Sequence, residues 1–199
     1  MRLWSNDGAP RGTLVGHSQS ILALAQTSDD ALYTLSRDRT LRCWDLDRRI
    51  ETGCVVAHIG AGLALAAEAN GSLVSGGADG ALRRWQHMDI VANREATHAG
   101  WIWDIALHGE TAISVGEDGY ARIWRCEDLS LIATLPHPHP LRAVAVRSDA
   151  EGITLDEAAM VEFLAIGAHA VARAKVSRGE RALIVGSGPI GVGVALFAG

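Results

Sequence analysis

The sequence predicts a mainly-β fold built from repeated four-stranded units, and three shared periodicities predict it. Trp4, Trp44, Trp85 and Trp124 recur at spacings of 40, 41 and 39 residues. His17, His58 and His98 recur at 41 and 40, and Asp38, Asp79 and Asp118 at 41 and 39. The offsets between types are nearly constant: 21, 21 and 20 from His to Asp, and 6 from Asp to Trp each time. Three residue types on one period mark a repeat architecture, in which no unit buries its apolar face alone.

Each repeat carries the signals of short strands and tight turns. Ser36-Arg37-Asp38-Arg39, Gly77-Ala78-Asp79-Gly80 and Gly116-Glu117-Asp118-Gly119 are turn-forming segments. Apolar runs precede them, from Ala31 to Leu35, Ser72 to Ser75 and Thr111 to Val115. Alternating runs that end in tryptophan follow them, through Leu41 and Cys43, Leu82, and Ala121 and Ile123. Before the first full repeat, Arg2 to Trp4 matches a third strand and Thr13 to Val15 a fourth. After the last, Leu141 to Val146 matches a first strand, and no Gly/Asp turn or tryptophan continues it.

These residues resemble the WD-repeat family, with Gly16-His17 and Trp44-Asp45 as the clearest copy of its motifs. The resemblance implies a β-propeller in which a His, a strand Ser/Thr, a turn Asp and a Trp form a buried hydrogen-bonded tetrad in each blade. Carried over by position, the tetrads are His17, Thr34, Asp38, Trp44; His58, Ser75, Asp79, Trp85; and His98, Ser114, Asp118, Trp124. A buried Asp is tolerated when its oxygens are paired, here by turn amides and the His. The same residue types also make hydrolytic triads, but a set repeated beside a Trp in every blade reads as structural. The expectation for residues 1–149 is an incomplete propeller of three full blades plus partial ones. Its ends either complete a split fourth blade within the chain or stay open and self-associate through unpaired edges, the second being favoured.

From about Asp149 the strand period stops. Leu155 to Lys175 places Ala159, Phe163, Ile166, Ala170 and Ala174 on one helical face, with Thr154 as capping residue. Arg181 to Val185 reads as a buried parallel strand, and Gly186-Ser187-Gly188-Pro189-Ile190-Gly191 follows directly before an apolar helix. A strand, then G-x-G-x-x-G, then a helix is the dinucleotide-binding context: Gly186 permits the turn, Gly188 the approach of a pyrophosphate, Gly191 close packing. This segment resembles the medium-chain, zinc-type alcohol and polyol dehydrogenases. The resemblance implies NAD(P) contacts at Gly186, Gly188, Pro189, Ile190 and Gly191, and an acid near a catalytic zinc at Glu162. The family's zinc-binding Cys and Gly-His-Glu motif have no counterpart upstream, so Glu162 reads as an exposed helix acid and no functional cofactor is expected. Residues 150–199 are thus read as a helix-strand-helix piece of a Rossmann α/β domain, and the chain as a fragment, a fusion or a protein needing partners.

Composition narrows the partners. A net charge of −5 on 199 residues gives no electrostatic reason for nucleic acid or an anionic membrane. Cys43, Cys54 and Cys126 form no C-x-x-C pair and read as buried thiols of a cytoplasmic protein. Arg83-Arg84, Arg94 and the Arg37/Arg39/Arg42 group read as ordinary solvated positions, with a basic contact patch as alternative. His137 and His139 alternate with Pro136, Pro138 and Pro140 as a rigid connection; no metal site is expected. The functional expectation is a non-catalytic scaffold that binds proteins through its propeller surface. The alternative is a dehydrogenase fragment, an oxidoreductase piece with residual cofactor binding.

Overall fold

The computed structural model describes residues 1–28, 31–68 and 70–146. The expected helix, strand and Gly186–Gly191 turn of residues 150–199 lie outside them. Fourteen strands occupy the described residues, in one two-stranded and three four-stranded antiparallel sheets. The first full blade comprises β3 (Ile21–Gln26), β4 (Leu32–Ser36), β5 (Thr40–Asp45) and β6 (Ile50–Val56). The second comprises β7 (Gly62–Ala67), β8 (Leu73–Gly77), β9 (Leu82–Gln86) and β10 (Asp89–Arg94). The third comprises β11 (Ile102–His108), β12 (Thr111–Gly116), β13 (Tyr120–Arg125) and β14 (Leu131–Pro136).

Within each blade the strands pair in chain order, so every connection is a hairpin. The turn between the second and third strands is the Asp-containing one. Its last residue has a left-handed backbone in all three copies: Arg39 at φ 73°, Gly80 at 68° and Gly119 at 75°. A Cβ on Gly80 would stand 2.4 Å from the His98 carbonyl oxygen, so that position needs glycine for space as well as for φ. Arg39 holds the same conformation as a non-glycine residue, which is uncommon and costs stability locally.

The blades join through their inner strands, β7 packing against both β3 and β11. Second strands are buried along their whole length in the first two blades, because both faces meet a neighbouring sheet. Each tryptophan of the repeat enters the interface with the preceding blade. Trp85 packs with Tyr33, Leu35 and Leu41 of the first blade. Trp124 packs with Val74 and Leu82 of the second. Trp44 packs with Leu14, and Met1 and Leu3 flank it.

Two strand expectations are corrected. The strand paired with β1 (Arg2–Trp4) is β2, Pro10–Thr13, earlier than Thr13 to Val15. The register Arg2↔Thr13 ends the strand at Thr13, and Leu14 turns its side chain under Trp44 while its N–H bonds the Met1 carbonyl. Leu141 to Val146 forms no strand. Leu141 and Val144 instead lie buried against Ile113, Val115 and Ala121 of the third blade. The Leu141 N–H bonds the Gly116 carbonyl and the Val144 N–H bonds Asp104.

Candidate functional site

The structure brings each of the three tetrads together. In the first blade His17 Nδ1 lies 2.9 Å from Asp38 Oδ2, His17 Nε2 lies 2.8 Å from Thr34 Oγ1, and Trp44 Nε1 donates to that Oγ1 at 2.7 Å. In the second, the His58–Asp79 and His58–Ser75 distances are both 2.9 Å, and Trp85 donates to Ser75 at 2.8 Å. In the third, the distances are 2.9 Å for His98–Asp118 and 2.8 Å for both His98–Ser114 and Trp124–Ser114.

The proton pattern follows from donor chemistry. An indole N–H only donates, so the Ser/Thr oxygen accepts it and gives its own proton to His Nε2. Nδ1 must then carry the imidazole proton and donate it to the aspartate. Each chain of bonds runs Trp to Ser/Thr to His to Asp with every donor used once.

The aspartates end these chains as anions. Burial alone would raise the Asp118 carboxyl, but bonds from His98, the Ala99 N–H and Arg122 bring it down to about 2. Burial opposes ionisation of Asp79 as well, and His58, the Ile59 N–H and Arg83 hold it well below the ordinary range. At Asp38 the same contest is won by the Thr40 hydroxyl, His17 and the Ser18 and Thr40 amides. Burial pushes His98 down, which keeps the ring neutral; the nearby Arg122 charge adds to that, while Asp118 opposes it.

The arginines correct the sequence reading, which took Arg42 and Arg83 as solvated or as a contact patch and did not single out Arg122. Arg83 is buried, donating from Nη1 to Asp79 at 3.0 Å and from Nη2 to Glu95 at 2.8 Å. Arg122 donates to Asp118 at 2.9 Å. Arg42 bonds Glu51 and the Thr40 hydroxyl, and Arg84 grips Glu68 at 2.7 and 3.0 Å. Arg42, Arg83 and Arg122 all stand four residues after the tetrad Asp, a signal the sequence carried.

The cysteine reading is corrected too. Cys126 is buried, and burial pushes its thiol up to about 11. Cys43 is half-buried and Cys54 exposed. Among the described residues no group of three His, Cys, Asp or Glu side chains is placed to hold a metal, and no helix is long and apolar enough to cross a membrane.

Where the inner strands begin, a cleft of about 470 Å³ spans all three blades. Leu22, Leu63 and Trp103 line it from one repeat position, Trp101 from another, and Arg37 from its rim. Trp101 stacks edge-on to Trp103 at 4.9 Å and is 47% exposed. Trp103 is fixed from behind: its N–H donates to Glu117, and Arg142 lies over its ring at 4.0 Å.

Comparison with known proteins agrees with this geometry. Residues 8–45 match the family model "WD domain, G-beta repeat". The chain is similar to a p21-activated protein kinase-interacting protein 1-like of Xenopus laevis, 30% identical over 111 residues, which is 54% of this chain and 30% of that protein. It is also similar to Striatin-3 of Homo sapiens, 27% identical over 146 residues, 60% of this chain and 18% of that one. A 49-residue stretch is 53% identical to L-galactonate-5-dehydrogenase of Escherichia coli (strain K12), 25% of this chain and 14% of that enzyme. The chain therefore spans less than a third of each of these relatives. Among solved structures, the RRP9 WD40 repeats superpose with a TM-score of 0.62 at 21% identity, over 66% of this chain and 43% of that one. The described sheets are thus WD40 propeller blades in fold.

Proposed function

We propose that the chain is a WD-repeat scaffold that binds protein partners and catalyses nothing. The observation that carries this reading is how the reactive side chains are used. Every His and Ser/Thr of the three tetrads has its proton or lone pair committed to a neighbour inside a blade. What the blades present outward at the cleft is instead aromatic and apolar, with Arg37 at the edge. Exposed tryptophan beside arginine is the composition of binding hot spots.

The reading is tested by binding, with the cleft as target. Trp101→Ala in the full chain should leave the fold intact, since its ring is half exposed, yet reduce capture of protein partners at least tenfold. Partners that bind the variant as well as the parent would remove the cleft from the proposal. Cytoplasmic residence, and partners other than nucleic acid or membrane, belong to the same proposal.

A second reading is favoured by one observation, the 49-residue match to a dehydrogenase. On that reading Gly186, Gly188, Pro189, Ile190 and Gly191 retain part of an NAD(P) cradle. We favour no functional binding, because glycines alone supply a phosphate turn and neither a ribose acid nor a nicotinamide pocket. In an NADH titration, saturable micromolar binding abolished by Gly188→Val would turn the choice to the second reading.

A further inference from the structure

The cleft at the head of the inner strands is rich in hydrogen-bond donors and poor in acceptors. In each blade the residue before the tetrad Asp turns its backbone N–H onto a carbonyl beside the inner strand: Arg37 onto Ser20 at 2.9 Å, Ala78 onto Ala61 at 2.8 Å and Glu117 onto Trp101 at 2.9 Å. Ser20, Ala61 and Trp101 all line the cleft, so the backbone acceptors they bring to it are already engaged. The side chains tilt the balance further. The Trp103 N–H is taken up by Glu117. Among the described residues nothing bonds the Arg37 guanidinium, the Ser20 hydroxyl or the Trp101 N–H. Arginine and indole donate and never accept, and the leucines and alanines have no polar side-chain atom.

Charge is as one-sided as donor count. The position before the tetrad Asp is Arg37, Ala78 and Glu117 in the three blades. Glu117 is neutralised, because Arg142 lies 3.3 Å from its Oε2 and the Trp103 N–H donates to it. Arg142 is held by that carboxylate and by the face of the Trp103 ring. Arg37 is exposed, with no acid paired to it among the described residues. It stands as one uncompensated positive charge at the rim of an otherwise apolar and aromatic cleft.

We propose that the cleft takes an acidic linear peptide: one carboxylate of the partner accepts from Arg37 and Ser20, and a neighbouring bulky apolar side chain lies against Leu63 and Trp101. This rests on the scaffold reading and names the chemistry of its partner. A concave site takes projecting side chains in preference to a flat protein face. A basic segment would meet the Arg37 charge and find no free carboxylate. A carboxylate is chosen over a phosphate because the cleft holds a single free cation. One guanidinium forks onto both carboxylate oxygens and matches their charge, whereas a phosphate dianion would be desolvated with charge left over.

The test selects short peptides from a random display library on the full chain and measures their binding by fluorescence anisotropy. The selected peptides should carry an aspartate or glutamate beside a leucine, phenylalanine or tryptophan, and bind less tightly as salt rises. Replacing the acid by its amide should weaken binding about tenfold. Arg37→Ala should cost the acidic peptide the same factor and leave the amide version unchanged; Arg37→Glu should turn the preference to a lysine-bearing peptide. The turn tolerates both substitutions, since it holds alanine and glutamate at this position in the second and third blades. An unchanged denaturation midpoint checks that. Trp101→Ala should weaken acidic and amide peptides alike. Peptides that need Trp101 but are indifferent to Arg37 overturn the acidic partner and leave the scaffold reading standing. Peptides that bind Trp101→Ala as well as the parent remove the cleft from both. A phosphoserine peptide that binds over tenfold more tightly than its glutamate counterpart also overturns the proposal. Selection of no peptide does so too, while capture of whole protein partners still decides the scaffold reading.

Discussion

In the first blade the fourth donor to the buried aspartate is a hydroxyl; in the second and third it is a guanidinium. Asp38 takes His17, the Ser18 N–H, the Thr40 N–H and, at 2.6 Å, the Thr40 hydroxyl. Asp79 takes His58, the Ile59 and Ala81 N–H groups, and Arg83. Asp118 takes His98, the Ala99 and Tyr120 N–H groups, and Arg122. The residue two after the Asp decides which solution is used. Where it is Thr40 the arginine is released to Glu51; where it is Ala81 or Tyr120 the arginine must turn inward. A buried carboxylate demands a fixed number of donors, and the sequence meets that number by different residues.

The largest effect should come from removing the acceptor that has a buried guanidinium among its four donors. Asp79→Ala leaves Arg83, His58 and two backbone N–H groups without their carboxylate inside the blade. Breaking a buried charge pair on one side costs more than the pair is worth, so a loss of about 3 kcal/mol is expected. Denaturant unfolding of the chain measures it, and a shift below about 1 kcal/mol would mean the donors find water instead.

Next in size is the contrast between the arginines. Arg83→Met should cost about 2 kcal/mol, since Asp79 then lacks a charged donor, and Arg42→Met about 0.5 kcal/mol, since Asp38 keeps all four. In a Thr40→Val background the second cost should rise to match the first, because Arg42 lies within the field of Asp38 and becomes its remaining side-chain donor besides His17. Equal costs of the two arginine variants in the parent chain would break the comparison between blades.

The period of Trp, His and Asp carried the three blades, and the family resemblance implied the pairing of the tetrad residues, whose contacts are made within one repeat at fixed offsets. What it did not carry depends on neighbours outside the repeat. Thr13 to Val15 alternates like a strand, yet pairing with Arg2 ends the strand at Thr13 and spends Leu14 on Trp44. Leu141 to Val146 has the pattern of a first strand, but an apolar alternation becomes a strand only beside a partner edge; here it covers the third blade. The inward turn of Arg83 was hidden because the charge of a side chain says nothing of whether a neighbouring carboxylate lacks a donor. It was recoverable from the pair of positions two and four after each Asp.

The smallest effect sets the tetrads against Asp104, whose electrostatics run the other way. His98 is held below its ordinary 6.5, so its contribution to stability is whole above that value and is lost as pH falls through the folded one. Asp118, brought down to about 2, contributes fully above its ordinary 3.8 and loses that as pH falls towards 2. Both make the chain less stable in acid. Burial raises Asp104, against the pull of the Val144 and Ile105 N–H groups, so its contribution is whole below 3.8 and is lost as pH rises through the folded value. It therefore opposes the tetrads and flattens the acid limb of the stability curve. Asp104→Asn removes the titration while leaving an oxygen for one of the two N–H groups. In the variant the rise of Tm between about pH 4 and pH 6 should steepen by about 2 °C, whatever the absolute offset from the lost acceptor. An unchanged slope would mean that Asp104 ionises as freely in the folded chain as in the unfolded one, and that its contact with Val144 offsets the burial in full.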